Sequence, residues 1–328
     1  MLALLKATSA LAGASVDRTV AMARVLTGSD GPALIERGHS GLNHDGSPLQ
    51  LCISFDGAGA RYRLLGDPAS DVSDIDRRFD RSLIAKKELL RLADAESLGP
   101  VLDRTLECLV GTQTRFESAK HPDGVMWLAG ELEGRGVAMY VDARDGGVDP
   151  AARLHDWLGT VARRSPDADL LVEAVSTGRV MSAGIEGVSP KFARAKIYWR
   201  LAKPAPLGTS SIVLFSHPAF ARFTIDVLGE REVSLDGIVL SAGLALPSAT
   251  LADAKLDICC CPRCANLDAD ATLALATRLA AMQSATLPDI RPLIDVSDLA
   301  FVGFALTRDL EARVNLYFKP KLEVSNNG

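Results

Sequence analysis

The chain lacks the marks of a nucleic-acid-binding, membrane-spanning or metal-dependent protein. Its 328 residues hold 36 Lys and Arg against 41 Asp and Glu, a net charge of −5. No basic stripe stands out against that balance and no RNA- or DNA-module signature occurs, which argues against a nucleic-acid partner. No apolar run reaches the roughly twenty residues of a membrane span. Histidines number only five, and none lies within forty residues of Cys261. A D-D-x-x-D magnesium box is absent too; "SDVSDID" reads as a loop and helix cap. No Gly-, Pro- or Ser-rich linker divides the chain, so a single domain over 1–328 is expected.

The opening "MLALLKATSALAGASV" is apolar, but its one basic residue, Lys6, interrupts the apolar run instead of preceding it. We read it as an amphipathic first helix continuing through "DRTVAMARVL", not as a signal peptide. A cytoplasmic protein with free thiols is the matching expectation.

The densest sulfur lies in "KLDICCCPRC", with Cys259, Cys260, Cys261 and Cys264. A structural zinc site wants a second C-x-x-C pair or histidines, and the sequence supplies neither nearby. A thiol redox site wants the pair at a helix start after a strand, which the following "NLDADATLALATRLAAM" loosely meets. The third reading is a strand with buried thiols that ends at Pro262.

Two-residue alternation and helical periodicity take turns along the chain. Strand pairs fall at 49–55 with 60–66, "VMWLAGEL" with "GVAMYVDA", "GRVMSAGIEG" with "ARAKIYWRLA", "GIVLSAGLAL" with "AKLDICC", and 299–306 with 312–318. Helical segments separate them. Hairpins are antiparallel, so these units cannot form parallel βαβ layers. Ten such strands can close into an α+β barrel with helices packed outside, which removes every sheet edge.

The second strand of each hairpin carries polar residues at alternate positions. These are Arg61 and Arg63; Tyr140; Arg194, Lys196, Tyr198 and Arg200; Lys255, Asp257 and Cys259; and Arg313, Asn315, Tyr317 and Lys319. The opposite faces are apolar, as in Ala195, Ile197 and Trp199. Helices cladding the barrel would take the apolar face, turning the Arg, Lys and Tyr face into the lumen. Guanidinium and ammonium groups can neutralise a diphosphate without a metal. Tyrosine faces can shelter a carbocation.

Five ββ pairs alternating with helices, with R-x-K-x-Y at Arg194, Lys196 and Tyr198, resemble the ABBA-fold aromatic prenyltransferases. The likeness is to the dimethylallyltryptophan synthase type and its bacterial relatives, and covers about residues 40–320. "DGSPLQLCISF…ARYR" is similar to the family's D-G-T-P-x-E-x-S segment and its following arginine, here Arg61. Two departures stand out: Gln50 replaces the family glutamate that grips the indole N–H, and Ala138 replaces the lysine of the second hairpin's K-x-Y. Arg63, Arg200 and Arg313 are the cations available to replace that lysine.

The resemblance implies a metal-independent transferase with no cofactor, magnesium not being essential. Its co-substrates would be a prenyl diphosphate and an aromatic small molecule or peptide. Arg61, Arg194, Lys196 and Lys255 would hold the diphosphate, with Arg63, Asp257, Arg313 and Asn315 on the same face. Tyr140, Tyr198 and Tyr317 would ring the allyl cation. Gln50 would hold the acceptor, an indole by family likeness, with a phenol as the competing class. Diphosphate itself, Asp257 or Glu131 would take the proton. A non-catalytic barrel binding a small anionic or hydrophobic ligand is the alternative of another kind. In this frame the cysteines mark a strand end, and no metal is expected there.

Overall fold

The computed structural model describes residues 2–28, 40–110, 124–144, 149–204, 206–229, 234–261 and 264–321. Among these residues, ten strands form five hairpins. They are β1 (Leu49–Asp56) with β2 (Gly59–Gly66), β3 (Met126–Glu131) with β4 (Val137–Asp142), and β5 (Gly178–Gly187) with β6 (Ala193–Leu201). β7 (Ile238–Ala245) with β8 (Thr250–Cys259) and β9 (Ser297–Thr307) with β10 (Ala312–Pro320) complete the set. Every neighbouring pair is antiparallel, and β1 pairs back onto β10 to close the barrel. The α+β barrel expected from the hairpin pattern is the architecture observed.

Helices clad the outside: α1 (Leu2–Ala12), α2 (Val16–Thr27), α3 (Ile75–Leu92), α4 (Gly99–Leu109), α5 (Pro150–Val161), α6 (Pro166–Ser176), α7 (Pro218–Leu228), α8 (Ala269–Met282) and the short α9 (Arg291–Ile294). The main core therefore lies between sheet and helices. Leu51, Ile53 and Phe55 of β1, Ile197 and Trp199 of β6, and Val314, Leu316 and Phe318 of β10 are all buried there. A run of aromatics fastens α7: Trp199 meets Phe215 edge-on, Phe220 meets Phe304 edge-on, and Phe223 stacks on Phe304. Burying each such ring contributes about 2–3 kcal/mol. That gain turns the apolar face outward and leaves the polar face for the lumen.

Three local differences from the sequence reading have plain causes. The first helical stretch is two helices, because Gly13 takes φ +67 and Ser15 restarts the chain by capping the Arg18 N–H. α6 follows its own cap, Ser165, whose hydroxyl accepts from the Ala168 N–H at 3.1 Å. β8 starts at Thr250 rather than Ala254, which adds Asp253 to its lumen face. Pro262 lies outside the described residues. No helix among the described residues is long and apolar enough to cross a membrane.

Candidate active site

Alternation along β8 sets the axis of the lumen. Asp253, Lys255, Asp257 and Cys259 project inward in sequence order, so one strand runs from one mouth to the other. Around it lie two chambers that share Lys255 and Tyr317.

The polar chamber has a volume of about 370 Å³ and is walled by Arg61, Arg63, Arg194, Lys196, Lys255, Arg313, Asn315 and Tyr317. Its cations are not alone. Glu186 of β5 accepts from Arg194 Nε at 2.9 Å and from Arg63 Nη1 at 3.0 Å, with Lys196 Nζ at 3.4 Å. Asp253 lies 2.5 Å from Arg194 Nη1, 3.6 Å from Arg313 and 3.7 Å from Lys196. Lys255 Nζ sits 2.7 Å from Asp257, and Arg63 also reaches Glu131 at 3.4 Å.

Burial would raise the Glu186 carboxyl, but Arg194, Lys196, Arg63 and Arg313 hold it well below the usual range. Lys196 is pushed down from the ordinary lysine range by burial, which outweighs Asp253 and Glu186. Two buried donors of this wall, Nε of Arg313 and Nδ2 of Asn315, have no hydrogen-bond partner among the described residues. Donors in that state are stabilised by an acceptor oxygen.

The second chamber is aromatic and apolar, about 170 Å³, walled by Leu42, Leu65, Trp127, Tyr140, Met181, Tyr198, Val239, Phe301 and Tyr317. Tyr140 and Tyr198 meet edge-on at 5.3 Å between centroids. Lys196 Nζ lies 5.7 Å from the Tyr198 ring centre, and Lys255 Nζ 4.6 Å from that of Tyr317. Lys255 Nζ also donates to the Tyr317 hydroxyl, which leaves that ring's face open, and an open tyrosine face attracts a carbocation as it does an ammonium group. Burial raises the Tyr198 and Tyr317 hydroxyls well above their ordinary range, so both stay neutral.

Gln50 lines this chamber with a fixed orientation. Asn43 Nδ2 donates to the carbonyls of Ser47 (2.8 Å) and Leu49 (3.2 Å), so Asn43 must offer its Oδ1 to its neighbour. Gln50 Nε2 takes that oxygen at 2.6 Å and the Leu42 carbonyl at 3.1 Å. Both Gln50 donors are thereby used, and the group it can offer a ligand is its carbonyl oxygen.

The 5-dimethylallyltryptophan synthase from Streptomyces coelicolor superposes with a TM-score of 0.76 at 19% identity, over 97% of this chain and 95% of that one. The 6-dimethylallyltryptophan synthase from Micromonospora olivasterospora, in complex with DMASPP and Trp, gives 0.76 at 17%, again over 97% and 95%. PriB, in binary complex with product diphosphate, gives 0.75 at 16%, over 98% and 97%. The fold is shared. No protein-family model and no curated protein sequence matches the chain.

Within this shared barrel, the residues singled out from sequence fall into distinct places. Arg63, Arg194, Lys196, Arg313 and Asn315 surround the polar chamber, and Gln50, Tyr140, Tyr198 and Asp257 line the aromatic one. Lys255 and Tyr317 stand between the two. Arg61 sits at the rim instead: its side chain is 57% exposed and pairs with Asp56 at 2.7 Å. Arg200 belongs to the far mouth, 3.5 Å from Asp236.

Sequence reasoning missed Glu186, Asp253, Trp127 and Phe301. Three of these lie on first strands, where the alternation of charge is not visible. Asp253 was within reach, since it continues the Lys255, Asp257 alternation two residues upstream.

Proposed function

We propose that the barrel transfers a dimethylallyl or longer prenyl group from its diphosphate to an electron-rich aromatic ring, by electrophilic aromatic substitution without a metal. One observation carries this reading: a cationic chamber and an aromatic chamber meet at Lys255 and Tyr317. The diphosphate oxygens lie against Arg63, Arg194, Lys196, Lys255 and Arg313, which take up charge as the C–O bond breaks. The allyl cation forms at the junction, faced by Tyr140, Tyr198 and Tyr317, which exclude water. The acceptor lies against Trp127 and Leu65, its N–H given to the Gln50 carbonyl. That N–H makes an indole, free or in tryptophan or a peptide, the acceptor that fits best; it is also the acceptor class of the dimethylallyltryptophan synthases that share the fold.

A new C–C bond leaves an arenium ion, whose proton must then depart. Asp257 is the carboxylate lining the acceptor chamber among the described residues, and one of its oxygens, Oδ1, is without a partner. It takes the proton while Lys255 balances its charge.

The test is incubation with dimethylallyl diphosphate and a panel of indoles and phenols in EDTA, read by mass. A prenylated indole formed without metal is the expected result. One specific observation favours a second reading, a barrel that binds a ligand without turnover: four lumen carboxylates already answer five cations. Saturable binding of the diphosphate with no product from any acceptor selects that reading.

A further inference from the structure

The cysteine cluster at the end of β8 has no part in the transfer chemistry, yet the fold gathers it. The sulfur atoms of Cys259, Cys261 and Cys264 all lie within 4.8 Å of one another. Cys261 and Cys264 are 3.5 Å apart. Tetrahedral zinc with Zn–S bonds of about 2.3 Å sets its sulfurs about 3.8 Å apart, so small side-chain rotations suffice. Sequence spacing alone offered one C-x-x-C pair. The third ligand is Cys259, two residues upstream, which alternation places on the lumen side. Cys260 points away, its thiol directed to the Ile258 carbonyl at 3.7 Å.

The backbone around the three thiols is already ordered for a ligand. The Cys261 N–H donates to the Cys259 sulfur at 3.4 Å, the N–H to sulfur bond that stabilises a metal-bound thiolate. The Cys264 N–H bonds to the Cys261 carbonyl at 2.9 Å and the Ala265 N–H to the Cys259 carbonyl at 3.2 Å, closing the turn. Arg200 and Arg179 line the same cleft and offset the negative charge of three thiolates. Soft sulfur donors select zinc or copper(I) over magnesium or calcium.

We propose that Cys259, Cys261 and Cys264 form a three-thiolate zinc site at the mouth next to the aromatic chamber. The ion ties the end of β8 to the segment leading into α8. Its fourth position opens into a cleft that shares Leu42, Met181 and Phe301 with the aromatic chamber. Binding displaces three thiol protons to solvent and involves no redox change.

Cobalt(II) titration of the reduced, full-length protein tests this, because cobalt–thiolate bonds give an intense charge-transfer absorption. One cobalt per chain is expected, with that absorption bleached by added zinc. Cys261→Ser and Cys264→Ser should each lose the band while keeping the wild-type circular dichroism, and Cys108→Ser should retain it. No thiolate band in the wild type overturns the site, as does a band that survives in both serine variants. The readout is independent of prenyl transfer, so failure here leaves that reading intact and the converse also holds.

Discussion

Gln50 Nε2 lies 2.6 Å from Asn43 Oδ1, and Asn43 cannot turn over because two backbone carbonyls hold its own amide nitrogen. Gln50 is thus locked as a hydrogen-bond acceptor toward the chamber. A glutamate in its place should therefore harm the protein. A carboxylate in Gln50→Glu would face the oxygens of Asn43 and Leu42 with no donor between them, at a cost of about 1–3 kcal/mol. The expected kcat/KM for an indole falls roughly tenfold or more; a rise would show that Asn43 reorients.

Lys196 is buried between Glu186 and Asp253 in the polar chamber. Lys196→Ala should lower transfer about 10²–10³-fold with every acceptor, the scale of losing one preorganised charge at a leaving group. Circular dichroism and thermal melting check that the variant folds. Near-wild-type rates in a folded variant would remove the diphosphate from this chamber.

For Asp257→Asn, loss of the proton acceptor predicts a kcat lowered about 10²-fold with little change in KM. A deuterium isotope effect at the substituted carbon should appear with it, as proton loss becomes slow. An unchanged kcat would assign the proton to the diphosphate or to Glu131.

Tyr198 supplies a ring face near Lys196, so removing the ring differs from removing its hydroxyl. Tyr198→Phe should keep most activity, and Tyr198→Leu should divert the cation to water. The ratio of prenyl alcohol to prenylated acceptor reads the difference, and equal ratios in the two variants would count against cation shelter by this ring.

Acid stability follows from Glu186. Burial opposes its ionisation, but four cations hold its folded-state pKa well below the ordinary value. The unfolded chain therefore binds more protons in the acidic window, and stability rises with pH there. The Glu186 contribution is complete above the ordinary carboxylate range and is lost as pH falls through the lowered value. Glu186→Gln should melt lower near neutral pH, where it strands buried cations. It should also lose less Tm than wild type on acidification below about pH 4.5. Parallel acid profiles would contradict this.

The barrel was legible because its strands alternate strongly, and alternation is a property of each strand by itself. The R-x-K-x-Y face of β6 announced its cations for the same reason. Glu186 stayed hidden because it is a single charge among Gly184, Ile185 and Gly187, and only pairing with Arg194 across the hairpin gives it meaning. Arg61 and Arg63 look equivalent in sequence. What separates them is height along the barrel: Arg61 stands at the rim beside Asp56, and Arg63 opposite Cys52 within it. The thiol cluster required the turn after β8, a fact of backbone path rather than of spacing.

Asp253 and Asp257 each lie opposite a glycine on the neighbouring strand, Gly243 and Gly303. A Cβ would stand 2.7 Å from the Asp253 carboxylate at Gly243, and 2.1 Å from that of Asp257 at Gly303. The two acids are thus seated in notches cut for them, and acid and notch form a matched set. An alanine at either glycine would force its acid to shift, and at Gly303 it would also crowd Lys255 Cε at 2.8 Å, although no charged residue is replaced. Neutral substitutions on β7 and β9 therefore reposition the lumen carboxylates and the cations they hold.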